Sequence, residues 1–371
     1  LDVVIIGGGL GGLCAALDLR GRGHAVTLVE RRHYPFHRVC GEYVSNEVLP
    51  YLRRLGVDPA VLAPAVITRF EVSSPAGRRL RAPLDLGGFG ISRYVLDEFL
   101  YRRALAVGVQ VVQATVSDVE FEAAADAHHV VLADGRRLPA RVVLGTYGKR
   151  SALDRQLARP FFTQRSPYLG VKYHLRYPDM PRDLIALHNF ADGYAGISAI
   201  EEDKFCFCYL TTRRNLKAQG TIARLEERVL ARNPHLRHIL ATAEVLYPQP
   251  EVINEISFAP KTCLEQHVLL AGDAAGLITP LCGNGMAMAI HGASLAATHA
   301  DAFLRRQLTR PQLEAAYTGS WQRAFASRLR VGRTVQRLFG QPLLSEVVVS
   351  GLRLLPGAVQ GLMRRTHGQV F

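Results

Sequence analysis

Residues 2–30 constrain the fold more than any other part of the chain. Residues 2–6 form a β-branched apolar run of the kind that makes a buried strand. The loop Gly7-Gly8-Gly9-Leu10-Gly11-Gly12 follows at once, and then an Ala/Leu-rich stretch over 13–19 that reads as a helix. A second apolar run over 25–29 closes on Glu30, 18 residues past Gly12. Strand, glycine loop, helix, strand and acid in this order form a dinucleotide-binding unit, with Gly7, Gly9 and Gly12 in the G-x-G-x-x-G frame. Gly7 lets the chain turn sharply out of the strand. Gly9 leaves room for a pyrophosphate against the backbone, and Gly12 lets the helix lie close to the sheet. The helix N-terminus then offers free N–H groups and a partial positive charge to phosphates. Glu30 can accept hydrogen bonds from a ribose diol. This unit by itself suits NAD or FAD.

A second constellation lies over 267–286. A strand over 267–271 ends at Gly272-Asp273, a loop carries Pro280 and Gly283-Asn284-Gly285, and a helix starts near Met286. Asp273 can hold a ribityl hydroxyl. The N–H groups around Gly285 can face an anionic flavin oxygen, where the helix dipole stabilises the charge of reduced flavin.

The two constellations together resemble the flavoprotein superfamily of aromatic hydroxylases, flavin halogenases and geranylgeranyl reductases. The resemblance covers most of the chain. It implies an α/β protein: a Rossmann-like FAD-binding domain, an inserted and mostly antiparallel β-sheet substrate domain, and a helical C-terminus. It implies noncovalent FAD as cofactor, with NAD(P)H as electron donor and no dedicated nicotinamide domain. Arg93-x-x-Leu96-Asp97-x-x-Leu100 is similar to the superfamily's basic segment at a helix start near the flavin, and residues 111–116, ending in Val116, are similar to the strand whose backbone clamps the adenine. The expected cofactor residues are therefore Gly7, Gly9, Leu10, Gly11, Gly12, Glu30, Arg31, Arg38, Arg93, Val116, Gly272, Asp273, Pro280, Gly283, Asn284, Gly285 and Met286. One departure concerns the Gly-Ala-Asp-Gly segment of many members. Here it reads Gly145-Thr146-Tyr147-Gly148, so the acid is missing.

Arg38-Val39-Cys40-Gly41-Glu42 resembles the Cys-Gly segment of geranylgeranyl-reductase-like proteins, in which the cysteine lies near the flavin. Cys40 is the candidate catalytic residue, with Arg38 or a helix end available to lower its pKa, and inert burial is the alternative. The single tryptophan is Trp321, far downstream, so neither the reductase nor the halogenase tryptophan pattern is complete. Lys172 and Lys204 lack a halogenase context. Two reactions stay open. One is NAD(P)H-dependent monooxygenation of a hydrophobic aromatic or polyketide-like substrate through a C4a-hydroperoxyflavin. The other is C=C reduction in a prenyl or lipidic substrate. Halogenation is a minor third reading.

The domain expectation is 1–160 for the first part of the FAD-binding domain, with an excursion into the substrate domain near 65–90. Residues 161–262 then form the substrate domain, 263–300 the second part of the FAD-binding domain, and 301–371 a helical C-terminal region. Aromatics over 161–209 read mainly as core, with a minority lining a pocket. Residues 215–233 read as a helix, and His174 and His188 as acid–base candidates.

The 371 residues carry a net charge of +13, almost all from arginine, but the basic residues are spread along the chain, so nucleic acid is not expected as a partner. Six cysteines without a CxxC pair suggest reduced thiols, no metal and a cytoplasmic setting. The residues at the start have no basic lead and do not read as a signal peptide. The apolar stretch 343–363, flanked by Arg353, Arg364 and Arg365, reads as a packed helix pair or as a peripheral membrane contact. The oligomeric state is left open.

Overall fold

The computed structural model describes residues 1–279, 283–338, 341–353, 361 and 368–371. Pro280 therefore lies outside the described residues, as do 354–360 and 362–363 of the apolar C-terminal stretch.

The short β-branched runs assemble one sheet. Val3–Ile6 pairs in parallel with Val26–Glu30 on one side and with Val142–Gly145 on the other. Gln110–Gln113 and Val268–Leu270 extend it in parallel, and a short hairpin adds Leu264–Glu265. The central strands are buried on both faces, which is why they read as unbroken Val/Ile/Leu runs. The helices Leu10–Gly21, Arg93–Ala106 and Gly285–Leu304 pack on this sheet, and their apolar residues share one core with it. The strand expected over 111–116 is split. Gln110–Gln113 stays in the parallel sheet, while Val116 opens a three-stranded antiparallel meander of Val116–Glu122, Ala127–Leu132 and Arg137–Ala140.

A second sheet of nine strands is antiparallel except where Leu184–Phe190 runs parallel to Ala65–Ser73. Ala65–Ser73 and Arg79–Gly90 join it from the N-terminal half, and Tyr168–Arg176, Gly193–Ala199 and Phe205–Thr212 form its middle. Helices Ile222–Arg228 and Pro234–Thr242 cover one face, with Leu225, Leu236 and Ile239 in a core shared with Phe190, Phe207 and Tyr209. The helix expected over 215–233 is broken into pieces. Gly220, at φ +79°, ends Arg213–Gln219, and the Thr221 side chain caps the next helix at Arg224 N. A further strand expected over 252–258 is Glu251–Asn254.

Two buried contacts hold the chain together near the future site. Glu201, in the nine-stranded sheet's hairpin, accepts hydrogen bonds from Ser92 N at 2.8 Å and Ser92 Oγ at 2.7 Å, at the start of the helix Arg93–Ala106. A Cβ on Gly90 would stand 1.8 Å from the Ala199 carbonyl oxygen, so only glycine permits that approach.

The C-terminal region is helical in Arg310–Leu338 and Pro342–Arg353. The second of these buries Val349 but leaves Leu343 84% and Val347 69% exposed. No helix among the described residues is long and apolar enough to cross a membrane.

Candidate functional site

The glycine loop has the form its sequence requires. Gly7 sits at φ +102°, and a Cβ there would lie 2.7 Å from the Thr146 carbonyl oxygen. A Cβ on Gly12 would lie 2.0 Å from Gly7 O, so the helix can come this close only through glycine. Gly11 also has a packing role. Its Cβ position lies 3.2 Å from Ala289 O, so it seats the first helix against Gly285–Leu304. Leu10 is buried in the core beside it. Around Gly9 a Cβ would meet only the tip of Arg93, at 3.6 Å, which leaves a bare backbone approach. The helix that follows has no side-chain cap, so its first-turn N–H groups stay available to an anion.

Glu30 is buried at its strand end and is held in place. It accepts from Gly8 N at 2.9 Å and Arg32 N at 3.0 Å, with Arg38 Nη2 at 3.4 Å. A carboxylate has lone pairs to spare beyond these, so it can still receive ribose hydroxyls. Arg31 itself points to solvent, and only its carbonyl is engaged, by Gln113 Nε2. Sequence reasoning passed over Tyr34. Its hydroxyl donates to Gly8 O at 2.5 Å and its ring stacks on Tyr101 at 4.3 Å. The Thr146 hydroxyl donates to Gly7 O at 2.7 Å, so the altered Gly-Thr-Tyr-Gly segment supports the turn in place of supplying an acid.

Arg93 opens its helix and is bound by Asp97 through two contacts of 2.6 and 2.7 Å; Arg38 Nε reaches the same carboxylate at 3.1 Å. Arg38 is thereby committed to acids and does not partner Cys40. The Cys40 thiol instead lies 3.2 Å from Met286 Sδ, in the first turn of Gly285–Leu304. The Cys-Gly segment and the second glycine constellation, 246 residues apart in sequence, thus meet. Gly283, at φ +64°, stands beside the Tyr43 ring. The Asn284 side chain is hydrogen-bonded to the buried Glu47, whose carboxylate also meets Arg328.

On the other side of the loop, Gly272 turns at φ +63° and Asp273 follows in a short 3-10 turn. Lys261 Nζ donates to Asp273 O at 2.8 Å and Lys149 O at 2.7 Å, bridging two strand ends, and burial lowers its pKa to about 8. Buried Arg159 ties the same loops, donating to Asp154 at 2.9 Å and to Ala274 O at 2.8 Å.

The nine-stranded sheet turns one face toward this region, and strand alternation sorts its side chains. Tyr173 and Tyr209 both donate to Glu226 Oε1 at 2.8 Å, on the helix-covered face. These aromatics therefore belong to the core and not to the face that meets residues 38–42. The opposite face carries Gly170, Lys172 and His174, with Cys208 and Cys206 directly across from Lys172 and His174. Against it lies Glu42, fully buried, at φ +55°. Its Oε1 accepts from Lys172 Nζ at 2.5 Å and Arg93 N at 2.9 Å, and its Oε2 lies 2.6 Å from His174 Nε2. Lys172 Nζ also donates to Arg38 O at 3.1 Å, and Cys206 Sγ to Cys40 O at 3.2 Å. Burial acts to raise the Glu42 carboxyl, but the Lys172 charge and the His174 hydrogen bond override it and hold it well below the ordinary carboxylate range. Glu42 raises Lys172 in turn, against the opposing effect of burial. Glu42, His174 and Cys206 have donor atoms within 4.8 Å of one another, but the Lys172 ammonium already supplies the positive charge there. His188 sits elsewhere, paired with Ser73 Oγ at 2.8 Å and lowered to about 3 by burial.

The glycine cradle, the strand-end acid and the uncapped helix start fit a dinucleotide cofactor. Gly272-Asp273 and the Gly285 helix start lie on the same side, so the residues fit FAD.

Comparison with known proteins agrees. The family described as FAD binding domain matches residues 1–319. Kynurenine 3-monooxygenase of Myxococcus xanthus is 30% identical over 312 residues, covering 76% of this chain and 67% of that protein. Digeranylgeranylglycerophospholipid reductase 2 of Methanopyrus kandleri is 23% identical, over 92% of this chain and 87% of that one. Among solved structures, the flavin-dependent brominase Bmp2 superimposes with a TM-score of 0.82 at 17% identity, over 100% of this chain and 94% of that one, a likeness of fold.

Proposed function

The chain belongs to the FAD-binding-domain family and is an FAD-dependent oxidoreductase; from that premise we propose that it is an NAD(P)H-dependent monooxygenase acting on a hydrophobic aromatic or polyketide-like molecule. The observation that carries oxygen transfer is the likeness to kynurenine 3-monooxygenase, 30% identical over 312 residues; the meeting of Cys40 and Met286, which brings the segment 38–42 against the helix start at Gly285, marks the site that either reaction would use. Bound FAD would supply electron transfer and oxygen activation there. Gly7, Gly9, Gly12 and the first helix turn would hold its pyrophosphate, Glu30 the ribose, and Asp273 the ribityl chain. The helix start at Gly285 would favour negative charge on the reduced ring system. Arg93, pinned by Asp97, adds positive charge beside the cradle. The nine-stranded sheet packs on residues 38–42 through Lys172, His174 and Cys206, and cover from that side would limit water at the ring system and protect oxygen chemistry from side reactions. The kynurenine 3-monooxygenase relative supports oxygen transfer.

The second reading is reduction of C=C bonds in a prenyl or lipidic substrate. It is favoured by the position of Cys40 at the flavin loop and by the reductase relative, with Cys40 near enough to the site to guide a proton. Two experiments separate the readings. In air, NAD(P)H oxidation by the FAD-loaded protein is measured with a panel of phenols and aminoaromatics. Without oxygen, reoxidation of the reduced protein is measured with prenyl lipids. Ring-stimulated oxygen uptake with a hydroxylated product supports monooxygenation. Anaerobic reoxidation by a prenyl lipid, with no ring effect in air, overturns it.

The exposed stripe Leu343 and Val347 is where we place a peripheral membrane contact, supported by the basic net charge. Binding to anionic vesicles that persists unchanged in a Leu343→Ser, Val347→Ser variant would remove this assignment.

A further inference from the structure

Glu42 is one of two fully buried acids over residues 42–47. The other is Glu47, 0% exposed, in the short 3-10 turn Asn46–Val48 that follows the strand Tyr43–Ser45. Three other segments of the chain meet on its carboxylate. The Asn284 side chain donates a hydrogen bond to it from the residue before the Gly285 helix start. Arg328 Nη1, from the helix Arg310–Leu338, lies 3.4 Å from Oε1. Gly368 N donates to Oε2 at 2.5 Å. Burial raises the Glu47 carboxyl, and the Arg328 charge and the two hydrogen bonds work against that rise. An acid hidden from water that gathers three donors fixes whatever those donors are attached to.

Residues 368–371 come back to this point and are held at both ends. A Cβ on Gly368 would lie 2.3 Å from Glu47 Oε2 and 2.5 Å from Arg328 Nη2, so only a bare backbone lies against the two charged groups. Three residues on, the Phe371 ring stacks on His291 at 4.0 Å and 11°, with the Tyr51 ring 5.7 Å away. His291 belongs to the helix Gly285–Leu304, whose first turn carries Met286. The segment therefore reaches this helix twice: directly at His291, and through Glu47 at Asn284. Asn284 is fully buried and its side chain makes no cap to its own helix, so the first-turn N–H groups stay available.

We propose that Glu47 is a positioning residue for FAD: held by Arg328 and by residues 368–371, it fixes Asn284 and with it the helix start that would face the flavin ring system. The proposal rests on the FAD-oxidoreductase reading. Glu47 acts through Asn284 and not by touching the cofactor. Arg328 balances its charge, so the pair steadies the helix start without adding net negative charge where reduced flavin would carry its own. Coupling of this kind is reciprocal. Whatever the docking of residues 368–371 adds to FAD affinity, bound FAD adds to that docking.

The test sets FAD affinity against the position of residues 368–371 in the full chain. Phe371 is labelled as a ring-fluorinated phenylalanine, whose fluorine NMR signal reports whether the ring is stacked on His291. FAD affinity is read by fluorescence titration. G368V puts a branched side chain where Glu47 and Arg328 leave no room. It should move the fluorine signal to that of a solvent-exposed ring and weaken FAD by about tenfold, and saturating FAD should draw the signal back toward the docked position. E47Q keeps the volume but removes the charge that gathers the three donors, and it should weaken FAD by a similar factor. A merely structural role would lower the denaturation midpoint and leave FAD affinity unmoved. Unaltered FAD affinity in E47Q, or in G368V with the segment displaced, overturns the proposal. Neither readout uses NAD(P)H, oxygen or substrate, so both stand if the monooxygenase reading fails.

Discussion

The glycine loop and the Glu42 cluster are the two sides of the proposed site, and they are built by opposite means. The loop is local. Gly7, Gly9, Gly12 and Glu30 fall within one stretch of chain, and what they offer is backbone: free N–H groups, a sharp turn and the absence of side chains. The cluster is nonlocal. Glu42 reaches Lys172 and His174 across 130 and 132 residues of sequence, and what they offer is charge taken out of water. A backbone site tolerates no added atom. A buried charge cluster tolerates no missing partner.

That contrast can be broken by substitution, and the largest effect belongs to the loop. Gly12→Ala places its Cβ 2.0 Å from Gly7 O and 2.7 Å from Thr146 Oγ1, with backbone on one side that cannot move away. A loss of about 3 kcal/mol of stability and most bound flavin is expected. Denaturant unfolding and the flavin-to-protein absorbance ratio measure both, and full occupancy would show that the close approach is not required.

Glu42→Gln comes next. It keeps the volume but strands the Lys172 ammonium in the interior, at a cost of about 3 kcal/mol. Its stability loss should be accompanied by only a modest loss of flavin, the reverse of the balance expected at Glu30. An unchanged denaturation midpoint would mean that the pair is not buried as described.

Glu30→Gln should leave folding nearly intact and weaken FAD by roughly ten- to a hundredfold, because a charged acceptor is replaced by a neutral one. Flavin fluorescence titration reads this directly, and an unchanged affinity would remove Glu30 from the ribose contact.

The smallest effect for each step of the variable changed is a pH slope from the nine-stranded sheet. His188 is lowered from 6.5 to about 3 by burial, so the folded protein binds this proton less readily than the unfolded chain. Its stabilising contribution is complete above pH 6.5 and is lost progressively as pH falls toward 3. The loss is at most about 1.4 kcal/mol per pH unit. His188→Gln should flatten the stability profile in that window, and an unaltered slope would assign the acid sensitivity to other groups.

The same local-versus-distant division explains what the sequence made legible. The α/β fold, the glycine cradle and Glu30 were readable because strand, loop and helix signals sit side by side. The packing of Gly11 against Ala289, which seats one helix on another, was not legible, because the partner is far along the chain. Val116 was joined to the preceding strand, since an apolar run does not reveal that residues 114–115 leave the sheet. The helix over 215–233 looked continuous, although Gly220-Thr221 carried a stop followed by a cap. Glu42 was seen only as the neighbour of Cys40-Gly41. A signal for the cluster existed in strand parity. Lys172 and His174 alternate with Tyr173 along one strand, which puts a lysine and a histidine on one face and the aromatics on the other. What parity cannot supply is the carboxylate that waits for them.

The central claim is that the two sides enclose a flavin that transfers oxygen to an aromatic ring, and isotope labelling addresses it most directly. FAD-loaded protein, NAD(P)H and ¹⁸O₂ are incubated with the phenol or aminoaromatic that most stimulates NAD(P)H oxidation, and the product is weighed by mass spectrometry. The account predicts one ¹⁸O atom in the ring product for each NAD(P)H coupled to turnover. A product without ¹⁸O, or one that has gained only two hydrogens, would contradict it.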